Sequence, residues 1–185
     1  MKHYWPRLTF IGAALLALAG CQSTQQAATT VQSAAQAQTT PTLSTTDATF
    51  INMAGTSGLA EVQLGELAQT RASNPAVRRF AAQMVADHTQ ANQRLAALAR
   101  AKQMTPPSST DTLHTQAYQQ LQNTRGRDFD KLYMDGQVQD HQMVVQAFQN
   151  EAQNGTDPDV RAFAQQNLPV MQQHLETAQR LDPRR

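Results

Sequence analysis

The chain has one cysteine, one tryptophan and 8 glycines in 185 residues. A lone thiol leaves no disulfide to form within the chain. Scarce glycine beside plentiful alanine and glutamine favours helix, and no stretch reads as a strand. Charge excess of either sign is missing too. Fifteen basic residues face 14 acidic ones, a formal net charge of +1, and no patch has the basic density that nucleic acid demands. There is no Ser/His/Asp arrangement, no glycine-rich phosphate loop and no Cys/His zinc spacing. A hydrolase therefore has no nucleophile–base pair to rest on. The apolar run Leu8 to Leu18 is too short to cross a bilayer comfortably. The length suffices for one domain with a real core.

What is present begins with an address. Lys2 and Arg7 precede the apolar run, which ends in Leu18-Ala19-Gly20-Cys21. A positive start, a short apolar stretch and small residues before a cleavage point make a signal peptide over residues 1–20. Its end resembles the bacterial lipoprotein lipobox. That resemblance implies that Cys21 becomes the acylated, palmitate-bearing N-terminus of the mature chain. Gln22, rather than Asp, implies retention at the outer membrane of a Gram-negative envelope, facing the periplasm. The mature chain would carry 13 basic and 14 acidic residues and no free thiol.

Residues 21–46 are built from Gln, Ala, Ser and Thr, with Pro41 near the end. Such a segment buries too little to offset the entropy of ordering. It reads as a disordered tether reaching about 25–30 Å on average.

From 47 to 182 the pattern is helical, and one phrase occurs twice. Asn74-Pro75-Ala76-Val77-Arg78-Arg79-Phe80-Ala81 returns as Asp157-Pro158-Asp159-Val160-Arg161-Ala162-Phe163-Ala164. Asn or Asp serves as N-cap, and proline fits the first helical position, where no donor is missed. Each copy follows a long helical stretch, so two helical hairpins are expected. The spacing predicts helices over 48–71, capped by Asp47, and over 75–102, 128–153 and 158–181. Asp111 to Asn123 should form a short helix or the start of the third, with a break at Arg125-Gly126-Arg127. Gly58 and Gly65 lie on the first helix's inner stripe and would admit a close neighbour. Pro169 should kink the last helix. The fold class is all-α, a four-helix bundle of two hairpins.

Each inner stripe carries one ionisable residue near its middle: Glu61, His88, His141 and His174. Glu61 lies 13 positions before Asn74 and His88 14 after it; His141 lies 16 before Asp157 and His174 17 after it. The four therefore share nearly one level, offset between hairpins by about 4.5 Å of helix rise. Burying them unpartnered is costly. Two partnerships are open. One is a mononuclear Glu/His3 site for a zinc, manganese or iron ion. The other is a closed hydrogen-bond network in which Glu61 accepts from a histidine and Asp87, Asp140 or water serve the rest. Met84, Met134 and Met171 on the same stripes read as gap-filling core rather than copper ligands. Tyr133 and Glu151 read as polar contacts at the bundle edge, and His114 as a solvated loop residue.

The run Phe80-Ala81-Ala82-Gln83-Met84-Val85-Ala86-Asp87-His88, with Asn92 and Leu95, resembles the signature of the DUF4142 family. So do Glu61-Val62-Gln63-Leu64-Gly65, Phe129-Asp130-Lys131-Leu132-Tyr133, His141, Phe163-Ala164, Leu168-Pro169 and His174-Leu175. The resemblance implies a ferritin-like fold in a secreted or envelope-attached bacterial protein, and it supplies no reaction. A ferritin di-iron site needs Glu-x-x-His on two helices. Here Val85 and Met171 stand where those glutamates would be, so ferroxidase or storage activity does not carry over. The first reading is thus a lipid-anchored, non-enzymatic envelope protein with a structural, interaction or stress-related role. The alternative is a periplasmic metal-binding protein.

Overall fold

The computed structural model describes residues 43–182. The signal peptide, Cys21 and most of the tether expected from the sequence lie outside the described residues. Five helices follow one another: α1 (Thr45–Arg71), α2 (Pro75–Ala101), α3 (Thr112–Gln122), α4 (Gly126–Asn154) and α5 (Pro158–Leu181). No strand occurs among the described residues, and none of their helices is long and apolar enough to cross a membrane. α1 packs mainly on α2 and α4 mainly on α5. The two hairpins meet along α1–α4 and α2–α5, and short α3 lies on α1 and α4.

The repeated phrase caps both second helices as its chemistry requires. Asn74 Oδ1 accepts from the Ala76 amide at 2.8 Å, and Asp157 Oδ1 accepts from the amides of Asp159 and Val160. The arginine of each copy reaches back over its turn. Arg78 donates to the Ala72 carbonyl at 2.6 Å, and Arg161 to the Gly155 carbonyl at 2.9 Å. Gly126 takes φ +61°, a left-handed conformation that glycine adopts cheaply, and this produces the expected break before α4.

The start of α1 differs from expectation. Ser44, not Asp47, is the N-cap, and its Oγ accepts from the Asp47 amide at 3.1 Å. The helix thus opens at Thr45, inside the segment read as tether. Asp47 is fully buried and acts elsewhere: its carboxylate accepts from the Thr156 amide at 2.9 Å and the Asp157 amide at 3.2 Å. Asp130, near the start of α4, does the same for the other turn. It accepts from the Ser73 and Asn74 amides at 2.8 Å each, and from the Ser73 hydroxyl. Each hairpin's first helix therefore clasps the turn of the other.

Two apolar clusters fill the interior. One gathers Leu64, Phe80, Met84, Phe129, Tyr133 and Met134. The other gathers Ile51, Leu95, Val160 and Met171 with Phe50, Phe148 and Phe163. Phe50 meets Phe148 edge-on with ring centres 4.9 Å apart. Each such buried side chain contributes about 1.5–3 kcal/mol. On α2, α4 and α5 the mid-stripe histidine falls between buried residues of one cluster and buried residues of the other, and on α1 Glu61 lies where the two clusters meet. The polar layer is thereby held between two apolar ones.

Candidate functional site

All four mid-stripe residues face inward. Glu61 and His141 are 0% exposed, His174 1% and His88 4%. The three imidazoles come from α2, α4 and α5 and form a triangle. Ring centres lie 5.8 Å apart for His88–His141 and 5.4 Å for each of the other two pairs. One nitrogen from each ring lies within 4.8 Å of the others.

Hydrogen bonds fix the free nitrogen on two of the rings. His174 Nε2 donates to the Asp87 carboxylate at 2.9 Å, and His141 Nδ1 donates to the Gln137 carbonyl at 3.1 Å. A neutral ring that donates from one nitrogen presents a lone pair on the other. His141 Nε2 and His174 Nδ1, together with His88 Nε2, are buried without a partner. Burial holds all three rings neutral. It pushes His141 down to about 4, helped by the charge His174 would carry. It pushes His88 well below the ordinary imidazole value, with His141 and His174 adding to it. His174 is lowered by burial against the pull of Asp87.

Glu61 stands to one side of this triangle. The expected Glu/His3 set does not appear as one group: among the described residues the close-lying groups are His88–His141–His174 and, separately, Glu61–Asp140–His141. Glu61 Oε2 accepts from Gln137 Nε2 at 2.6 Å, while Oε1 lies 3.9 Å from His141 Nδ1. Glu61 thus takes its hydrogen bond from an amide rather than from a histidine. Burial, then the charge and hydrogen bond of Asp140, raise the Glu61 carboxyl well above its usual range. Burial also works to raise Asp140, but hydrogen bonds with His114 and Glu61 outweigh it and hold Asp140 low.

A cavity of about 300 Å³ lies between α1, α3 and α4 and reaches this second group. Glu61, Tyr133, Gln137 and Asp140 line its inner side, and His114 and Ala117 line it from α3. Gln120, Gly136 and Gln139 at its outer lining are exposed. His114 is not the solvated loop residue expected from sequence. It sits half-buried on α3, held by Asp111 at 2.9 Å and Asp140 at 3.3 Å, and the bond to Asp140 raises its pKa. Tyr133 and Glu151 are likewise not edge contacts; each is 1% exposed. Gln137, one turn before His141 on the same stripe, joins the site without a charge to mark it in the sequence. Ser57 joins it too, its hydroxyl donating to Asp140 at 2.9 Å.

The family described as "Domain of unknown function (DUF4142)" matches residues 32–181. The chain belongs to the DUF4142 family. This DUF4142 chain finds no match among curated proteins. Among solved structures it is similar to a DUF305 fragment from Deinococcus radiodurans, with a TM-score of 0.68 and 13% identity. That likeness covers 78% of this chain and all of the fragment, and at such identity it speaks for the fold alone.

Proposed function

We propose that this chain is a lipid-anchored envelope protein whose helical domain holds one transition-metal ion on His88, His141 and His174. The observation that carries the reading is a trio of buried imidazoles from three helices, each with one unpartnered ring nitrogen and each with a nitrogen within 4.8 Å of the others. A neutral imidazole is the form a metal needs, and rings whose other nitrogen donates to a carboxylate or carbonyl have the second-shell support usual for metal-bound histidine. Three neutral nitrogens suit zinc best, ahead of manganese or iron. We read the architecture as a ferritin-like four-helix bundle, with α3 as an insertion in the connection between hairpins.

The test is metal analysis of protein purified without a histidine tag. The reading expects one bound zinc per chain, lost in His141→Ala. Metal-free protein whose melting temperature does not move on adding zinc, manganese, iron or copper would overturn it. A second reading, a non-enzymatic structural or interaction domain with a metal-free polar core, draws on the bonds Gln137–Glu61, His141–Gln137 and His174–Asp87. The same experiment separates the two.

The anchor rests on the residues around Cys21. The proposal places the domain on the periplasmic face of the outer membrane, and Cys21→Ser should abolish labelling by radioactive palmitate. Label retained on that variant would refute the acylation.

A further inference from the structure

The cavity beneath α3 contains more unused oxygen than a folded interior tolerates without reason. Gln137 Oε1 and the Tyr133 hydroxyl are buried without a hydrogen-bond partner, Glu61 Oε1 has nothing near it to bond but the neighbouring Asp140 carboxyl, and all three residues line this one cavity. Glu61 is 0% exposed, Tyr133 1% and Gln137 2%. Native proteins leave few such groups, and a cluster of them calls for an occupant. The Asp140 carboxylate lies among them, and its cluster with Glu61 and His141 brings one potential ligand atom from each within 4.8 Å. Two donors hold Asp140 in place: the Ser57 hydroxyl on one oxygen and, from the α3 wall of the cavity, His114 on the other. Each carboxylate oxygen has two lone pairs, so each keeps one to offer.

We propose that this cavity is a second cation site, distinct from the histidine triangle, that takes a hard divalent ion of the magnesium, calcium or manganese class on Glu61 and Asp140. Two carboxylates, an amide oxygen and a phenol hydroxyl are the donors such ions prefer, whereas the triangle offers only nitrogen. Water fills the remaining positions from the exposed rim at Gln120, Gly136 and Gln139. His141 donates its Nδ1 proton to Gln137, so it flanks this ion rather than binding it. The site does not depend on the histidines being occupied.

Terbium is the probe, because it binds oxygen ligands and its emission is excited through a nearby tyrosine. With the full chain, tyrosine-sensitised emission should saturate at one ion and be quenched by competing manganese. His88→Ala, which touches only the triangle, should leave the emission unchanged. Asp140→Asn should abolish it, and Tyr133→Phe should remove most of it. Absent emission, emission that survives Asp140→Asn, or emission lost in His88→Ala would each overturn the proposal. If Asp140→Asn lowers the helical circular dichroism, Tyr133→Phe decides, since it removes only an unpartnered hydroxyl; emission retained there places the ion elsewhere. Zinc binding that fails while terbium binding stands would sink the histidine reading and leave this one intact.

Discussion

The two hairpins are copies in plan and unlike in filling. Residues 83 positions apart in sequence play matched roles: Asp47 and Asp130 clasp turns, Asn74 and Asp157 cap helices, Arg78 and Arg161 reach back over those turns. At the same offset, Gly58 in α1 corresponds to His141 in α4, and Gly65 to Phe148. The glycines let α2 come close. A Cβ on Gly65 would stand 2.8 Å from Val85 Cγ2 and 3.1 Å from the Ala81 carbonyl oxygen, and one on Gly58 would strike Asn92. The second hairpin instead places an imidazole and a phenyl ring in the interior. The first hairpin contributes closeness, and the second contributes two of the three converging imidazoles.

The matched clasps offer the strongest way to break the comparison. Asp130→Ala strands the Ser73 and Asn74 amides, and Asp47→Ala strands those of Thr156 and Asp157. Each should cost roughly 2–4 kcal/mol, measured by urea unfolding. A silent result at either one would end the symmetry argument.

Acid titration sharpens it next. The ordinary imidazole value is 6.5, and folding lowers His141 to about 4. The unfolded chain therefore binds protons first, and stability drains as pH falls from 6.5 toward 4. For His141 alone this is about 2 kcal/mol at pH 5. Glu151, found only in the second hairpin, works the other way. Burial, then its contact with Asp47, raises its carboxyl to about 7. Its folded form holds a proton that the unfolded form lacks, so stability is recovered as pH falls from about 7 toward 4.5; Glu61 acts in the same sense. Glu151→Gln should therefore steepen the fall in melting temperature between pH 7.5 and 5. Equal slopes in variant and parent would contradict this assignment.

Glycine replacements give the smaller contrasts. Gly65→Ala should lose about 1–3 kcal/mol through overpacking. Gly136→Ala on exposed α4, where nothing lies within 4 Å of the added carbon, should gain about 0.5–1 kcal/mol through helix propensity. The same sign at both positions would show that close approach of α1 and α2 is not what Gly65 serves.

These contrasts also mark how far the sequence could be read. Caps and periodicity are local, so the hairpins, the break at Gly126 and the inward aim of Glu61, His88, His141 and His174 were legible. Counting from the turns gave height along each helix but not position across the interior. That is why Glu61 was grouped with the histidines when it stands beside Asp140. The role of Asp47 is not legible in the sequence because its partners, Thr156 and Asp157, lie more than a hundred residues away, beyond any capping rule. The burial of His114 is not legible either, because α3 is short and the residue is held by a bond to Asp140 on α4. Tyr133 and Glu151 are polar residues in apolar surroundings, and pattern alone assigns such residues to the edge.

The reciprocal carboxylates have a consequence for the chain as a whole. Neither half fully satisfies its own bend, because Asp130 serves the first and Asp47 the second. A chain nicked between Gln103 and Thr110, outside both bends, would yield two fragments that each lack what the other supplies. Such fragments should be poorly ordered apart and should reconstitute the domain when mixed.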